Sequence, residues 1–358
     1  MTAPPISAEQ FLDPATVRAS VDQVLQEFLA LKAARTAEPH LPYLSGLLRE
    51  FLAGGKRIRP LLCLTGWQAA GGEGDPASVV RTAAALEMFH AFALIHDDVM
   101  DNSDTRRGRP TIHRRLAALS TGGRSKGERF GLGGAVLLGD LALAWSDELL
   151  HGAGLSAKQS GAVLPLLAEM RTEVMLGQYL DLRGTGELTD DVQKALLVSR
   201  YKTAKYTIER PLHVGAAMAG GDPLLLAACT AFALPLGEAF QLRDDLLGVF
   251  GDPRTTGKSR LDDLREGKNT ALVACALHRA DPTQAARLRA LIGDAGLAER
   301  GAAEVRRILT ATGARAQVEQ MIAERHGLAL RALERAPFPA DAAAALRQVA
   351  RLATVRNS

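Results

Sequence analysis

The stretch His90-Ala-Phe-Ala-Leu-Ile-His-Asp-Asp-Val-Met-Asp101 is an apolar run that ends in three carboxylates. On an α-helix Asp97 and Asp101 are four residues apart and share one face, whereas Asp98 lies about 100° round the helix. Three carboxylates on one turn repel each other and weaken the helix. A carboxylate pair at this spacing suits a hard divalent cation, especially Mg²⁺ that bridges to substrate phosphates. The alternative is a solvated acidic helix end.

A second acidic cluster lies far along the chain, in Gln241-Leu-Arg-Asp-Asp-Leu-Leu-Gly-Val-Phe-Gly-Asp252. Here too, two adjacent aspartates stand inside an otherwise apolar helical pattern. Two aspartate pairs within apolar helices are hard to explain as solvent-exposed surface charges, because buried charges need a metal ion or counter-ions. The predicted metal-binding residues are Asp97, Asp98, Asp101, Asp244 and Asp245.

Cationic residues recur in glycine-containing loops. Gly54-Gly55-Lys56-Arg57-Ile58-Arg59-Pro60 sets three cations beside a glycine pair and a helix-starting proline, and Arg106-Arg107-Gly108 follows the first acidic cluster. Helix N-termini and Lys/Arg clusters both bind phosphate. Further cations stand at Lys202, Lys258 and Lys268. Each one alone is a weak signal, but together with two acidic clusters they describe a pocket for diphosphates, and the apolar helices between them indicate an apolar substrate body.

The chain of 358 residues contains 61 alanines and 55 leucines but only 16 aromatic residues, which predicts an all-α protein. A net charge of +3 gives no reason to expect nucleic acid as a partner. Three cysteines without paired spacing are typical of reduced thiols in the cytoplasm. The N-terminus lacks the basic and apolar regions of a signal peptide. The longest uncharged apolar run, Pro223–Gly237, is too short to predict stable membrane insertion.

Apolar residues recur at helical spacing along most of the chain, with interruptions at glycine or proline. A long helix is predicted after Pro76-Ala77-Ser78 as far as Asn102. Other helices are predicted over 15–32, 44–52, 60–70, 135–152, 156–182, 189–204, 207–219, 223–250, 269–280, 283–293, 298–312, 314–335 and 339–355. The Gly-, Ser- and charge-rich stretch 120–134 is predicted to be a mobile surface loop. We predict one all-α domain over residues 15–358, after a flexible N-terminus of residues 1–14.

Several motifs, taken in order, resemble those of the trans-isoprenyl diphosphate synthases in the polyprenyl synthetase family, of the kind common in actinobacteria. The resemblance covers roughly residues 40–350. The motifs are GGKRIRP (54–60), HDDVMD (96–101), RRG (106–108), LLGD (137–140), GQYLDL (177–182), YKTAKYT (201–207), QLRDDLLGVFGD (241–252), TGK (256–258) and DLREGK (263–268). The resemblance implies a large helical bundle around a central apolar cavity, and relatives are mostly homodimers.

The family's site residues can be carried over where the motifs match. The resemblance implies that Asp97, Asp101 and Asp244 bind Mg²⁺, supported by Asp98 and Asp245, with three ions per site and Mn²⁺ as a possible substitute. The diphosphate of isopentenyl diphosphate would be held by Lys56, Arg59, His90 and Arg107. The allylic diphosphate would be held by Arg106, Lys202, Lys258 and Lys268. Lys202, Thr203 and Gln241 would lie near the reacting carbon. Many members carry a further aspartate where this chain has Gly248.

The implied reaction is head-to-tail condensation of isopentenyl diphosphate with an allylic diphosphate. Phe92 and Phe89 lie five and eight residues before Asp97 and are three apart, so they share a helix face and are candidates for the floor of the pocket. Ordinary core packing is the alternative. A phenylalanine at Phe92, small Ala93 and no insertion in the motif look like the class that forms the C20 product, geranylgeranyl diphosphate. Farnesyl diphosphate, a longer product, a class I terpene cyclase and a non-catalytic partner subunit remain alternatives.

Overall fold

A computed structural model describes residues 12–34, 40–252 and 259–354 of the chain. Most of these residues are helical and almost none are in strands, which confirms the predicted all-α class. The elements are α1 (Pro14–Ala34), α2 (His40–Leu52), α3 (Ile58–Ala69), α4 (Ala77–Met100), β1 (Thr105–Arg106), β2 (Arg109–Pro110), α5 (Ile112–Ala117), α6 (Arg124–His151), α7 (Ala157–Gly184), α8 (Val192–Val198), a π-helix (Ser199–Glu209), α9 (Arg210–Met218), α10 (Pro223–Phe250), α11 (Asp262–Glu266), α12 (Ala271–Arg279), α13 (Pro282–Leu291), α14 (Glu299–Ala311), α15 (Ala314–Arg335) and α16 (Ala340–Thr354).

Local signals explain where several helices begin. Asp222 caps α10 by accepting a hydrogen bond from the backbone N–H of Leu225, and Pro223 follows as the first helical residue, where its missing N–H costs nothing. Ser156 and Gln159 form a reciprocal capping box at the start of α7. Of the predicted N-terminal segment, residues 1–11 lie outside the described part, whereas Leu12 is buried and α1 begins at Pro14.

The prediction of a mobile loop at 120–134 is wrong, because α6 begins at Arg124 and runs without interruption through this stretch. Its glycines serve close helix packing rather than a turn. A Cβ at Gly131 would lie 2.2 Å from the carbonyl oxygen of His113, and one at Gly127 would lie 2.9 Å from that of Ala117. Both contacts are shorter than a side chain tolerates, so glycine lets α5 approach the face of α6.

Two long apolar helices form the centre of the bundle. α4 packs against α6, α3 and α1, while α10 packs against α15, the π-helix and α9. Both helices are long and apolar enough to cross a membrane by length and composition alone, but 72% of the α4 segment and 44% of the α10 segment are buried inside the protein. Each carries one of the two aspartate clusters near its C-terminal end. α10 also contributes apolar side chains to both hydrophobic clusters of the interior.

A two-residue hairpin follows α4 where no strand was predicted. Arg106 pairs with Arg109 in antiparallel register. The two residues between them, Arg107 and Gly108, have φ angles of 52° and 73°. Positive φ at both central positions is the signature of a type I′ turn. The turn sends the two adjacent arginines to different partners: Arg106 donates to Asp98, and Arg107 donates to the backbone carbonyl of Ala53 at 3.4 Å.

Candidate active site

A cavity of about 920 Å³ lies between the C-terminal parts of α4 and α10. The hairpin, α7, the π-helix and the segment around α11 complete its wall. It brings together most of the residues predicted from the sequence to form the site. Those that line it are Lys56, Arg59, His90, Asp97, Arg106, Arg107, Lys202, Thr203, Gln241, Asp244, Asp245 and Lys268. Lys258 lies outside the described residues.

The first aspartate cluster is held by cations. Asp97 accepts hydrogen bonds from Lys202 Nζ at 3.0 Å and from Arg106 Nη2 at 3.3 Å. Asp98 is buried, and Arg106 Nε donates to its two carboxylate oxygens at 2.8 and 2.9 Å. Asp101 accepts from Lys268 Nζ at 2.8 Å. Arg106 therefore positions Asp98 behind the cavity wall, while Asp97 lines the cavity itself.

The charges of this cluster are strongly coupled. Burial opposes ionisation of Asp97, but the ammonium groups of Lys202 and Lys268 outweigh it and hold the pKa of that carboxyl well below its usual range. Burial and the neighbouring charge of Asp97 raise the pKa of Asp101. Burial disfavours the charged form of both lysines, yet the surrounding carboxylates raise their pKa values. Asp97 and the two lysines therefore carry full charge near neutral pH.

The two lysines also contact acidic residues that the sequence analysis missed. Lys202 Nζ donates to Asp181 at 2.6 Å, which ties the π-helix to α7. Lys268 Nζ lies 2.8 Å from Glu266 and 3.8 Å from Asp263. Asp181 stands in the motif GQYLDL, and the other two stand in DLREGK. The motifs contain these residues, but only the fold shows which lysine each of them contacts.

The second aspartate cluster is linked to the π-helix by a chain of hydrogen bonds. Thr203 Oγ1 donates to Gln241 Oε1 at 2.6 Å, and Gln241 Nε2 donates to Asp245 Oδ1 at 2.7 Å. Burial raises the pKa of Asp245 to about 8, and the nearby carboxylates of Asp263 and Asp244 add to that effect. Asp244, one residue earlier on α10, is half-buried in the cavity wall.

One part of the cavity lining, here called the cationic half, is formed by Lys56, Arg59, His90 and Arg107. Arg59 Nη2 donates to Thr207 Oγ1 at 2.6 Å, and its guanidinium lies 4.3 Å from the ring centre of Tyr206. His90 Nδ1 lies 3.0 Å from the Tyr206 hydroxyl. Burial and the charges of Arg59, Arg106 and Arg107 lower the pKa of His90 well below its usual value, so His90 is neutral here. Lys56 and Arg107 complete this half.

The buried Arg57, one of the three cations of the glycine-containing loop, fixes the part of the loop that carries Lys56. Its guanidinium donates to Glu87 at 2.8 Å, to Asp22 at 2.8 and 2.5 Å and to the Leu52 carbonyl at 2.5 Å. These bonds join α1, α2 and α4 to the glycine-rich loop. Local sequence could not reveal them, since Asp22 and Glu87 are 35 and 30 residues away.

The π-helix arranges the motif YKTAKYT around the cavity. Four residues of this motif, Lys202, Thr203, Tyr206 and Thr207, line the wall. Such i→i+5 turns are rare and concentrate at functional sites. The π-helix packs closely against α7, since a Cβ at Gly177 of α7 would lie 2.3 Å from the backbone nitrogen of Lys202. The glycine in GQYLDL therefore lets α7 approach the π-helix.

Phe92 and Phe89 lie behind the cavity wall. Their rings are 5.2 Å apart, and both side chains are buried. Phe92 also contacts His96 with a ring separation of 4.8 Å, and Phe89 contacts Tyr206 at 5.8 Å. Neither phenylalanine is among the residues that line the cavity, whereas Ala93, on the same helix, is. The small side chain of Ala93 thus forms the wall at this level.

The donor set fits Mg²⁺. Asp97 and Asp244 present carboxylate oxygens, the ligands that this ion prefers, and Mg²⁺ is usually bound by one or two carboxylates plus substrate phosphates and water. Among the described residues, no group of three acidic, histidine or cysteine side chains could hold a metal ion alone. In such an arrangement the protein groups would supply only part of a coordination shell, and cationic side chains stand beside it where a diphosphate would complete it.

Comparisons with known proteins find relatives over most of the chain. The family model "Polyprenyl synthetase" matches residues 41–309, a range that includes both aspartate clusters. The geranylfarnesyl diphosphate synthase of Aeropyrum pernix is 33% identical over 263 residues, which are 73% of this chain and 76% of that protein. A short chain isoprenyl diphosphate synthase of Methanothermobacter thermautotrophicus is 35% identical over 67% of this chain and 69% of that protein.

Solved structures show the same likeness. The geranylgeranyl pyrophosphate synthase of Corynebacterium glutamicum, complexed with isoprenyl diphosphate and magnesium, is similar with a TM-score of 0.91 and 41% identity; the match covers 96% of this chain and 100% of that one. The geranylgeranyl pyrophosphate synthetase of Pyrococcus horikoshii matches with a TM-score of 0.80 and 26% identity, over 96% of this chain and 98% of that one. The likeness thus extends over nearly the whole described chain.

Proposed function

The chain belongs to the polyprenyl synthetase family, and from this premise we propose that it is a Mg²⁺-dependent trans-prenyltransferase that condenses isopentenyl diphosphate with an allylic diphosphate to give geranylgeranyl diphosphate. The observation that carries the proposal is one cavity lined both by aspartates of the two clusters and by cations: Asp97, Asp244, Asp245, Lys56, Arg59, Arg106, Arg107, Lys202 and Lys268. The magnesium and isoprenyl diphosphate of the similar Corynebacterium structure support the same chemistry.

The metal-directed residues in this proposal are Asp97, Asp101 and Asp244. Asp98 and Asp245 support them through their hydrogen bonds to Arg106 and Gln241. Bound Mg²⁺ neutralises the leaving diphosphate, so that the allylic C–O bond can ionise. We propose three ions per site, and Mn²⁺ can replace them because it shares the preference of Mg²⁺ for oxygen ligands.

The cationic residues divide between two diphosphates. Lys56, Arg59, His90 and Arg107 hold isopentenyl diphosphate, with neutral His90 donating one ring N–H. Arg106, Lys202, Lys268 and, outside the described residues, Lys258 hold the allylic diphosphate. Lys202 and Lys268 are already fixed at the cavity by carboxylates. Fixed, desolvated charges stabilise the departing diphosphate because they need no reorganisation as negative charge develops.

The carbon chemistry takes place between these two sites. The allylic C–O bond breaks and leaves a carbocation beside Thr203 and Gln241, whose hydrogen bond to each other holds the amide in place. The double bond of isopentenyl diphosphate attacks this carbocation, a new C–C bond forms, and a proton is lost to the departed diphosphate. The apolar cavity wall keeps water from the carbocation.

The C20 product is proposed from the wall of α4. Ala93 leaves room beside the cavity, four residues before Asp97. Phe92 and Phe89 are buried against each other and against Tyr206 and His96, and we propose that this packed pair, directly behind the wall, limits how far the growing chain can extend. A rise of about 1.5 Å per residue sets Phe89 about 12 Å along the helix from Asp97.

Exposed apolar side chains on two helices support a homodimer. Phe130 and Leu137 on α6 and Met175 and Tyr179 on α7 are between 47% and 69% exposed. An interface between two copies of the chain would bury such side chains. We also propose that residues 15–358 form one domain, because α10 joins both interior clusters. A cytoplasmic location is proposed from the free cysteines among the described residues, which are all buried.

The experiment that tests the function is an incubation of the purified protein with isopentenyl diphosphate and dimethylallyl, geranyl or farnesyl diphosphate. Each reaction is run with Mg²⁺ and with EDTA, and the dephosphorylated products are sized by mass spectrometry. A Mg²⁺-dependent C20 alcohol is expected. A C15 or longer alcohol would contradict the product length only. A cyclic hydrocarbon formed without isopentenyl diphosphate, or no turnover at all, would contradict the proposed reaction.

A further inference from the structure

A buried carboxylate on α10 holds the beginning of the π-helix. Glu238 has only 8% of its side chain exposed, and each of its two oxygens accepts hydrogen bonds from a different arginine. Arg200 Nε and Nη2 both donate to Oε1, at 2.9 and 2.7 Å. Arg325 Nε donates to Oε2 at 2.8 Å. Because Arg200 stands on the π-helix and Arg325 on α15, this one carboxylate connects three helices.

The ion pair of Arg200 and Glu238 lies next to a hydrogen bond that the proposed reaction uses. Arg200 and Thr203 are three residues apart on the π-helix. Glu238 and Gln241 are three residues apart on α10. Residues at this spacing lie close together on a helix surface. The ion pair and the Thr203–Gln241 hydrogen bond are therefore neighbouring contacts between the same two helices.

The backbones of the two helices approach closely beside these pairs. A Cβ at Gly237 of α10 would lie 2.4 Å from the Cα and 2.5 Å from the Cβ of Ala204, the residue after Thr203. Contact of this kind limits how near the helices come but supplies no directional bond, because dispersion attraction is weak for each atom pair. The direction in which Thr203 points is therefore left to the polar pairs beside the contact.

Lys202, which stands between Arg200 and Thr203 in the chain, has anchors of its own. Its ammonium group contacts Asp97 at 3.0 Å and Asp181 at 2.6 Å. Loss of Arg200 therefore leaves this diphosphate-binding charge tied to α4 and α7, and its effect falls on Thr203.

We propose that Arg200 and Glu238 are positioning residues for the reaction, which hold the beginning of the π-helix so that Thr203 meets Gln241 beside the reacting carbon. The inference rests on the proposed function, because it assigns a role in that reaction. Neither Arg200 nor Glu238 is among the residues that line the active-site cavity, so both act through the Thr203–Gln241 pair. The placement matters because a shift of about 1 Å can lower a rate by about 100-fold.

The test uses substitutions in the full chain. Arg200→Met removes the guanidinium from the π-helix. Arg200→Lys keeps one charged donor, which suffices because both arginine bonds end on the same oxygen. Arg325→Met is the matched control, since it takes one guanidinium from the same carboxylate but stands on α15. Thr203→Val removes the hydroxyl through which the ion pair acts.

Steady-state kinetics, thermal unfolding and hydrogen exchange of the metal-free protein are measured for each variant. We expect Arg200→Met to lower kcat by about 10–100-fold and to leave the KM for both diphosphates within about twofold of the parent, because the cations that bind them keep their anchors. Arg200→Lys should retain kcat within about threefold, and Arg325→Met should have the kcat of the parent. The backbone amides of residues 199–209 should exchange faster in Arg200→Met than in Arg325→Met.

The decisive comparison is the double variant Arg200→Met, Thr203→Val. A positioning role acts through the Thr203 hydroxyl, so adding Arg200→Met should lower the kcat of Thr203→Val by less than about twofold. A purely structural role would lower kcat by the same factor with and without the hydroxyl, and that result would overturn the inference.

Other outcomes separate this inference from the proposed function. A parent-like kcat in folded Arg200→Met, an equal loss in Arg325→Met, or no recovery in Arg200→Lys would overturn the inference while the parent enzyme remains active. If Arg200→Met does not fold, Glu238→Gln decides, because it removes the negative charge with little change in volume; an unchanged kcat in that variant would overturn the inference. A parent protein without Mg²⁺-dependent condensation would contradict the proposed function instead.

Discussion

Substitution of the buried Arg57 tests whether the loop that carries Lys56 is held by long-range ion pairs. The side chains of Arg57 and Glu87 are 4% and 5% exposed, so Arg57→Met leaves the Glu87 carboxylate buried without the guanidinium that it accepts from. Removing one partner of a buried ion pair costs about 3–5 kcal/mol. At about 2.1 cal/mol/K per residue, 358 residues give an unfolding entropy of about 0.75 kcal/mol/K. The Tm should therefore fall by about 4–7 °C.

The second half of this test is the double variant Arg57→Met, Glu87→Met. Replacing both members of a buried pair by apolar residues is often neutral or stabilising, and Asp22, with 25% of its side chain exposed, can be hydrated. Most of the lost Tm should return, while the KM for isopentenyl diphosphate stays raised because the loop of Lys56 has lost its anchor. Differential scanning calorimetry and steady-state kinetics measure the two effects. A Tm change below about 1 °C in Arg57→Met, or a double variant as unstable as the sum of the single ones, would refute the reasoning.

Four further predictions concern the charges, the pocket, the surface and the backbone. In metal-free protein, Asp245 has a pKa of about 8, above its value of about 3.9 in the unfolded chain. The folded state therefore binds the extra proton, and the free energy of unfolding should fall as pH rises from about 4 to 8, by at most about 1.4 kcal/mol per pH unit. Asp245→Asn should reduce this slope when unfolding by urea is measured across the pH range. Phe92→Ala should lengthen the product, and an unchanged chain length by mass spectrometry would remove Phe92 as the end of the pocket. Leu137→Glu, at a side chain 69% exposed on α6, should convert a dimer to a monomer in light scattering, whereas the control Leu224→Glu, 77% exposed on α10, should not. Arg107→Gly should stabilise the fold by about 1 kcal/mol by removing a left-handed non-glycine residue and yet raise the KM for isopentenyl diphosphate; unchanged KM would contradict a role for the guanidinium.

The sequence predicted some elements to the residue and missed others for identifiable reasons. The bounds of α10 and α15 agree with prediction, because Asp222 and Pro223 mark one start and the apolar spacing is regular. The stretch 120–134 was mispredicted because glycine signals both turns and close helix contacts, and only the position of α5 distinguishes them. The π-helix gives no separate periodic signal, since its residues continue a helical pattern.

The site shows the same division. The metal-directed aspartates and the diphosphate cations were identifiable because their residue types and motifs carry the chemistry. Their partners were not: Asp181 meets Lys202 across 21 residues, and Lys268 meets Asp101 across 167. Such pairs depend on which helices become neighbours, and one sequence does not record that. Gly248 illustrates this limit, because the side chain nearest to it, that of Asp263, is 15 residues further along the chain.

Two residues with a strained backbone line this cavity. Among the described residues, the non-glycine positions with positive φ are Arg57, Asn102 and Arg107, at 49°, 51° and 52°. Asn102 follows Asp101, the C-cap of α4, where asparagine adopts this conformation readily. A left-handed arginine costs roughly 1–2 kcal/mol, whereas glycine would adopt the conformation freely. Arg57 and Arg107 both line the cavity. The chain places glycine at Gly108, the neighbouring turn position, but keeps arginine at 107. The strained backbone at residue 107 is therefore tolerated so that a guanidinium can stand there. This pattern is expected where ligand binding, and not folding, determines the residue type.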